Sequence, residues 1–290
     1  MESSRGGNSL SATKRASVPS VDPTLHLPRI LCLHGGGTNA RIFQTQCRAV
    51  SRALAPHFRL AYAEAPFPSS AGPDVASVYA DCGPFKRWGR WLPEHDQPSE
   101  DGEAIRAIDA SLAAAIAADD ALGADGPWVA LLGFSQGAKV AASLLFRQQV
   151  LADLGKESGD SRRSDRDIRW RFAVVLAGRS PLVSLFADPA TFASPLLDGA
   201  SATGAAWRSP PDLMEVARGR HVLRLPTIHV HGLLDPGLEL HRDLLDSYCD
   251  PDAARLIEWD GNHRVPLKTT DVAPVVDQIL DVARKTGALE

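Results

Sequence analysis

The sequence of 290 residues has no long hydrophobic run, no paired-cysteine motif and no marked excess of charge of either sign. A membrane-spanning helix needs about 20 consecutive apolar residues, and the longest candidate, Ala110 to Ala118, ends at two aspartates. The net charge of -4 and the pI of about 6.1 provide no basic surface for nucleic acid or lipid headgroups. The sequence therefore predicts neither a membrane span nor a nucleic-acid partner.

The cysteines also lack the spacing of a metal site or a disulfide framework. None of the four belongs to a C-x-x-C pair or stands beside paired histidines. They are expected to be mostly small buried side chains: Cys32, Cys47, Cys82 and Cys249. We therefore expect no metal ion, no disulfide and a reducing compartment.

The N-terminal segment has no apolar core of a secretory signal. Met1 to Pro28 is rich in Ser and Gly and only weakly resembles a transit peptide, so residues 1–27 are predicted to be a disordered leader. With no targeting signal recognised, we expect a cytoplasmic protein. The chain as a whole contains 44% hydrophobic residues, and residues 28–290 are predicted to form one sizeable domain.

Short apolar runs alternate with helical patterns throughout this domain. Strands are predicted at 29–33, 58–63, 128–132, 171–177, 226–230 and 254–259, and helices at 40–55, 103–120, 136–151, 238–247 and 271–284. This rhythm is typical of a mostly parallel, doubly wound sheet with helices on both faces. Three segments interrupt it: an aromatic, Pro-rich insert at about 64–100, a charged loop at about 155–169 and a cap at about 180–220.

One motif carries chemistry. Gly133 to Gly137 reads Gly-Phe-Ser-Gln-Gly, which matches G-x-S-x-G. It lies between the strand at 128–132 and the helix that begins at Gln136, which is the setting of a nucleophile elbow. An ordinary strand-to-helix turn with a capping serine is the alternative. The context favours Ser135 as a nucleophile.

A serine nucleophile needs a base and an orienting acid, which follow it in the order Ser, acid, His in this kind of sheet. His263 stands in the loop after the last strand, and Asp235 stands in the loop after the strand at 226–230. An acid placed there can reach the far nitrogen of His263 and fix its tautomer. Three other acids compete for the role: Asp243, Asp246 and Asp260.

Acyl transfer also requires backbone N–H groups that already point at the developing oxyanion. Gln136, the residue after the nucleophile, is predicted to supply one donor. The glycine loop after the first strand is predicted to supply the other, from Gly36 or alternatively from Gly37. This loop matches neither phosphate-binding pattern, G-x-x-x-x-G-K-[ST] or G-x-G-x-x-G, so a nucleotide site is not expected.

These stretches resemble the fungal serine hydrolase family, which includes small esterases and the thioesterases that accompany fungal polyketide synthases. The resemblance covers about Pro28 to Ala283 and rests on four motifs: Ile30 to Asn39, Gly133 to Ala138, His231 to Asp235 and Gly261 to Pro266. It implies the α/β-hydrolase fold and a serine esterase or thioesterase without a metal or organic cofactor. By similarity, Ser135 is the nucleophile, His263 the base and Asp235 the orienting acid.

Two positions depart from the family pattern. Gly36 stands where the family often has a bulky or aromatic residue, and Asn262 stands where it often has a second glycine. Neither change removes a catalytic group, and both leave the acyl preference open. The implied partner is a small acyl ester or thioester, free or bound to a carrier protein, in polyketide or related metabolism. A carboxylesterase, an acyltransferase and a non-catalytic binding protein on the same fold are the alternatives.

The aromatic insert offers an apolar surface for an acyl chain. Four of its side chains are predicted substrate contacts: Phe67, Tyr79, Trp88 and Trp91. Phe85 lies in the same segment, and Lys86, Arg87 and Arg90 add positive charge that could meet a phosphopantetheine arm. The alternatives are aromatics that pin the insert to the core and a solvated charged face.

Overall fold

A computed structural model describes residues 22–96, 101–158, 168–186 and 222–290. The predicted leader up to residue 21, residues 159–167 of the charged loop and residues 187–220 of the predicted cap lie outside the described residues. The described strands are β1 (Arg29–Leu33), β2 (Arg59–Ala63), β3 (Phe67–Ser69), β4 (Phe85–Arg87), β5 (Trp128–Phe134), β6 (Phe172–Leu176), β7 (Thr227–Gly232) and β8 (Ala254–Trp259). The helices are α1 (Ala40–Gln46), α2 (Arg48–Leu54), α3 (Pro73–Tyr79), α4 (Asp101–Ala121), α5 (Gln136–Ser158), α6 (Leu238–Tyr248) and α7 (Thr269–Lys285).

The central sheet has the strand order β2-β1-β5-β6-β7-β8. Every adjacent pair in it is parallel, which confirms the predicted doubly wound arrangement. The chain runs outward from β1 to β2 and then, after crossing back, outward from β5 to β8. The order therefore reverses between β1 and β5, and open sheets of this kind bind ligands beyond the carboxyl ends of the strands at such a point.

Helices cover both faces of this sheet. One apolar core joins the sheet to α4, α5 and α6, and the other joins it to α1, α2 and α7. All residues of β1, β5, β6 and β7 are buried, because each of these strands has a core on both sides. This double burial explains why the strands are continuous apolar runs rather than alternating ones.

Several element boundaries differ from the sequence-based predictions. The helix predicted at 40–55 is two helices that break at Cys47, whose backbone leaves helical geometry with ψ near 0°. The helix α5 continues to Ser158, so the predicted loop at 155–169 is wrong over its first four residues. Gly155 lowers helix propensity, but one glycine does not end a helix whose preceding turns are packed on the core.

The aromatic insert is also more regular than predicted. Its strands β3 and β4 pair antiparallel, with Phe67 opposite Arg87, and α3 lies between them with Pro73 in its first turn. Proline fits this position because the first helical N–H groups have no partner within the helix. A bridge between Thr38 and Lys86 ties the insert to the glycine loop after β1.

None of the helices in the described part of the chain combines the length and apolar character that a bilayer crossing requires. The four cysteines, all of them in described segments, carry free thiols. Cys32, Cys47 and Cys249 are buried, and burial raises the pKa of each of these thiols. They therefore behave as small apolar side chains.

Candidate active site

Ser135 stands in a sharp turn between β5 and α5. Its φ is 54°, in the left-handed region that a non-glycine residue rarely adopts. The two glycines of the motif make this turn possible. A Cβ at Gly133 would lie 2.2 Å from the Gly137 carbonyl oxygen, and one at Gly137 would lie 2.0 Å from the Leu33 carbonyl oxygen. The strand and helix therefore pass at backbone contact, and the serine hydroxyl projects from the turn.

Ser135, His263 and Asp235 form a continuous hydrogen-bonded chain. His263 Nε2 lies 3.0 Å from Ser135 Oγ, and His263 Nδ1 lies 2.6 Å from Asp235 Oδ2. The other oxygen of Asp235 accepts the N–H of Gly237 at 2.8 Å. The Phe134 ring lies 5.0 Å from the His263 ring, centroid to centroid, and supports its face. The structure thus brings together three predicted residues that are far apart in sequence.

The environment of Asp235 keeps it ionised. Burial opposes the charge, but hydrogen bonds from His263 and the Gly237 N–H outweigh burial and hold the pKa of the carboxyl below its usual value. Within the described segments, no hydrogen bond or ion pair joins any of the three competing acids to His263, whereas Asp235 makes both. Asp246 and Asp260 are exposed, and Asp243 accepts a hydrogen bond from Ser247. Asp235 is therefore the acid that can orient the histidine.

The glycine loop distinguishes between the two candidate oxyanion donors. The N–H of Gly37 donates to the Lys86 carbonyl at 2.9 Å and is therefore occupied. The N–H of Gly36 has no acceptor among the described residues. Gln136 begins α5, and the first N–H groups of a helix have no partner within it. Gly36 and Gln136 are therefore the available pair.

The side chain of Gln136 fastens the insert to the nucleophile turn. Its Oε1 accepts the N–H of Trp88 at 3.1 Å, and its Nε2 donates to the Gly89 carbonyl at 3.1 Å. A Cβ at Gly36 would lie only 2.7 Å from the Gln136 amide carbon. The glycine at position 36 therefore leaves room for this amide to span from α5 to the insert.

Of the four aromatic side chains predicted to contact substrate, two are buried and two are partly exposed. Trp88 is fully buried, and its Nε1 donates to the His34 carbonyl at 2.8 Å. Trp88 is therefore no longer a candidate substrate contact. Its side chain attaches the insert to the residue that follows β1. Phe67 is also buried, beneath the guanidinium of Arg87. Tyr79 and Trp91 are partly exposed, so they remain candidates for contact with an acyl chain.

Two of the three cations in the predicted positive face of the insert, Arg87 and Arg90, bond to backbone carbonyls. Arg87 is buried and donates to the backbone carbonyls of Pro68 and Asp96. Arg90 donates to the carbonyls of Leu92 and Pro93. These guanidiniums hold loop backbone in place, which argues against a role in binding a phosphopantetheine arm. The sequence could not reveal this, because carbonyl acceptors are not visible in residue types.

A row of imidazoles leads from the sheet to His263, and sequence reasoning missed it. Ring centroids of consecutive members lie 5.9, 5.5 and 6.2 Å apart along the series His229, His231, His241 and His263. The first three are fully buried. Burial is the main cause that lowers their pKa values, to about 3 for His229, about 4 for His231 and about 3 for His241. These three rings are neutral at physiological pH.

Because these rings are neutral in the folded protein, the free energy of unfolding should depend strongly on pH. The three histidines take up protons below about pH 6.5 in the unfolded chain, but only below about pH 4 in the folded chain. Their contribution to the free energy of unfolding is therefore fully present above pH 6.5 and is lost as the pH falls below that value. We expect the free energy of unfolding, measured by urea titration from pH 7 to pH 5, to fall by about 1 kcal/mol per buried histidine per pH unit.

The matched variants for this titration are His231→Phe and His26→Gln. Neither nitrogen of His231 has a hydrogen-bond partner in the part of the chain that the structure describes, so phenylalanine removes the titrating group without breaking a described bond. The acid slope should become shallower in this variant. His26→Gln removes an exposed imidazole that lies outside this row and serves as the reference. An unchanged slope in His231→Phe would show that this ring is already protonated or solvated in the folded state.

Three side chains around His263 lie close enough together to be considered as metal ligands. Ligand atoms of Asp235, His241 and His263 all lie within 4.8 Å of one another. Two ligands on one tetrahedral zinc ion stand about 3.3 Å apart, whereas Asp235 and His263 approach to 2.6 Å. That separation fits a hydrogen bond between the two side chains rather than a shared ion.

Comparison with known proteins identifies the family of the chain. The serine hydrolase (FSH1) family model matches residues 24–275. The chain belongs to this family. Membership, together with the parallel sheet, confirms the predicted α/β-hydrolase fold, and the protein is a serine hydrolase of the esterase type. Esterase pigG of Monascus ruber is 56% identical over 276 residues, which cover 95% of this hydrolase and 98% of the relative.

Other relatives of the hydrolase are similar over comparable lengths. Esterase dbaE of Emericella nidulans is 53% identical, covering 93% of this chain and 95% of its own. Esterase citA of Monascus ruber is 52% identical, covering 92% and 97%. Among solved structures, esterase PE8 aligns with a TM-score of 0.44 at 15% identity, over 91% of this chain and 96% of that one.

Proposed function

We propose that this hydrolase cleaves an acyl ester or thioester through Ser135, His263 and Asp235, by way of an acyl-enzyme. The observation that carries the proposal is the unbroken chain of hydrogen bonds from Asp235 Oδ2 through both nitrogens of His263 to Ser135 Oγ. An acid, an imidazole and a hydroxyl in this order are the parts of a serine hydrolase triad.

The reaction proceeds in two halves. Ser135 Oγ attacks the acyl carbonyl while His263 Nε2 takes the hydroxyl proton, and Asp235 holds the resulting imidazolium. The N–H groups of Gly36 and Gln136 stabilise the oxyanion. His263 then gives the proton to the leaving alcohol or thiol. In the second half, a water molecule activated by His263 attacks the acyl-enzyme and releases the acid.

The proposed natural substrate is a polyketide or related acyl chain, held as a thioester and released or edited by hydrolysis. The likeness to fungal hydrolases that accompany polyketide synthases supports this choice. Tyr79 and Trp91 are proposed to contact the chain, since both are partly exposed at the insert. A carboxylesterase acting on oxygen esters is the second candidate, supported by the relatives named as esterases.

A matched pair of substrates separates these two functions. Octanoyl pantetheine and the corresponding octanoyl oxygen ester carry the same acyl group, so their kcat/KM ratio reports the leaving atom alone. We expect at least tenfold preference for the thioester beyond the ratio of the uncatalysed rates, measured by release of octanoic acid. Equal or inverse preference would assign the hydrolase to oxygen esters. A fluorophosphonate probe, followed by peptide mapping, should label Ser135 in either case.

A further inference from the structure

Arg179 lies at the same edge of the sheet as the nucleophile. It follows β6 by three residues, and the last residue of that strand, Leu176, pairs with Phe134 immediately before Ser135. The Leu176 carbonyl accepts the N–H of Ser135 at 2.9 Å. Ala177, with φ of 50°, then turns the chain at the carboxyl end of the strand. The loop that carries Arg179 therefore begins beside the nucleophile.

Hydrogen bonds of the Ser180 backbone fix the loop that carries Arg179. The N–H of Ser180 donates to the Leu240 carbonyl at 3.0 Å, and Lys139 Nζ donates to the Ser180 carbonyl at 3.1 Å. The guanidinium lies against Gly237, where a Cβ would stand 2.6 Å from Arg179 Nε. A side chain at position 237 would collide with this guanidinium, so the glycine there makes room for Arg179 at the start of α6.

The acceptors nearest to Arg179 are already used. Its Nη2 is 4.0 Å from Asp235 Oδ1, beyond hydrogen-bond distance. Asp235 Oδ1 accepts from Gly237 and Oδ2 from His263. Among the residues the structure describes, no group accepts a hydrogen bond from the guanidinium, and its Nε is buried without a partner. An acceptor from outside the protein can therefore meet only the exposed N–H groups of this guanidinium.

The guanidinium is also open to a ligand, because 41% of the side chain is exposed. The charge of Arg179 also affects the pKa of Lys139. Burial first, and then the charge of Arg179, lowers the pKa of Lys139 to about 7. A guanidinium that makes no hydrogen bond to its nearest carboxylate, Asp235 at 4.0 Å, thus stands beside the triad.

We propose that Arg179 binds an anionic oxygen group of the substrate, either a carboxylate on the acyl chain or a phosphate on the leaving group. The inference rests on the proposed reaction at Ser135 and adds a substrate class to it. Guanidinium and carboxylate or phosphate match as planar donors and acceptors, and such charged pairs are strong. Asp235 and His263 link Arg179 to the nucleophile, since Arg179 Nη2 lies 4.0 Å from Asp235 Oδ1 and His263 bonds to both Asp235 and Ser135 Oγ. We infer that a short acyl chain or a pantetheine arm spans this separation.

Two pairs of substrates test the inference and distinguish its two sources. In the acyl pair, the p-nitrophenyl monoester of glutaric acid is compared with p-nitrophenyl pentanoate. In the leaving-group pair, an octanoyl thioester of 4′-phosphopantetheine is compared with that of pantetheine. For each pair, the ratio of anionic to neutral kcat/KM is measured for the wild-type hydrolase, Arg179→Met and Arg179→Lys. Arg264→Met, which removes an exposed arginine next to His263, is the matched control.

We expect Arg179→Met to lower this ratio about ten- to hundredfold in one pair, mainly through KM of the anionic member. The pair that responds identifies the carboxylate or the phosphate as the bound group. Arg179→Lys should show a smaller loss, and Arg264→Met should keep the wild-type ratio. A ratio unchanged by Arg179→Met in both pairs overturns the inference. Equal losses on both members of each pair, with a shifted pH profile, would instead show that Arg179 acts on Asp235 and His263.

A binding measurement separates this inference from the proposed reaction. N-propylglutaramate and N-propylpentanamide differ only in the terminal carboxylate, and calorimetric titration of each requires no turnover. If the carboxylate lies at Arg179, the wild-type protein should bind the glutaramate about tenfold more tightly than Arg179→Met does, and both proteins should bind the neutral amide equally. Such a result would support the site even if Ser135 did not hydrolyse the esters. For the phosphate, the same comparison uses 4′-phosphopantetheine and pantetheine. No difference in either titration would contradict the inference.

Discussion

Substitution of Ser135 by alanine should lower kcat/KM for an acyl ester by about 10⁴- to 10⁶-fold. Without the hydroxyl no acyl-enzyme can form, and only the oxyanion donors and substrate binding continue to assist attack by water. The fold should survive, because alanine and serine bear the same strain at the φ of 54°. Progress curves at high enzyme concentration measure kcat/KM, and a thermal melt shows whether the variant remains folded.

The control for this variant is Ser77→Ala, which alters an exposed serine far along the insert. It should retain wild-type kcat/KM. The fluorophosphonate probe should label Ser77→Ala and fail to label Ser135→Ala. If Ser135→Ala kept more than a hundredth of the activity, another residue would have to be the nucleophile.

Asp235→Asn should lower kcat about 10⁴-fold while leaving the protein folded. The reason lies in the two hydrogen bonds of this side chain. Oδ1 accepts from the Gly237 N–H, which fixes the carbonyl oxygen of an asparagine in the same place. Its NH₂ group would then face His263 Nδ1 and donate to it. The proton of the imidazole moves to Nε2, and that nitrogen can no longer accept the proton of Ser135.

Two further asparagine variants make this test specific. Asp246→Asn and Asp260→Asn remove exposed carboxylates from the segments that follow β7 and β8. Each should retain kcat within about threefold, because exposed charges at a distance are well screened. A large loss in Asp260→Asn with none in Asp235→Asn would reverse the assignment of the acid. Thermal melts of all three variants exclude unfolding as the cause.

Much of the arrangement could be predicted because local sequence and fold agree. The apolar strand β5 includes the first glycine of the motif, and Ser135 and the second glycine follow it directly. That order favours a close strand-to-helix turn. His263 and Asp235 could be placed because each follows a strand, and parallel strands bring their carboxyl ends to one edge. The position of a residue along the chain was therefore enough to indicate its position at the site.

Other features depend on contacts that the sequence does not encode locally. The antiparallel pair β3 and β4 joins residues separated by α3, and nothing in the order of residues states that Phe67 faces Arg87. Trp88 looked like a ligand contact by composition, but its indole N–H finds the His34 carbonyl inside the protein. The sequence shows that Gly36 departs from the family pattern, but it does not show that a Cβ there would lie 2.7 Å from the Gln136 amide carbon.

The amide of Gln136 has a consequence for anyone who would redesign this hydrolase. Because it bonds to the backbone at Trp88 and Gly89, the segment that follows β4 is attached to the residue next to the nucleophile. An insert transplanted from a relative would carry its own backbone geometry at this junction. Exchange of the insert to alter acyl preference therefore has to preserve residues 88 and 89 and the glycine at 36 as one unit, or the exchange will disturb the catalytic turn along with the pocket.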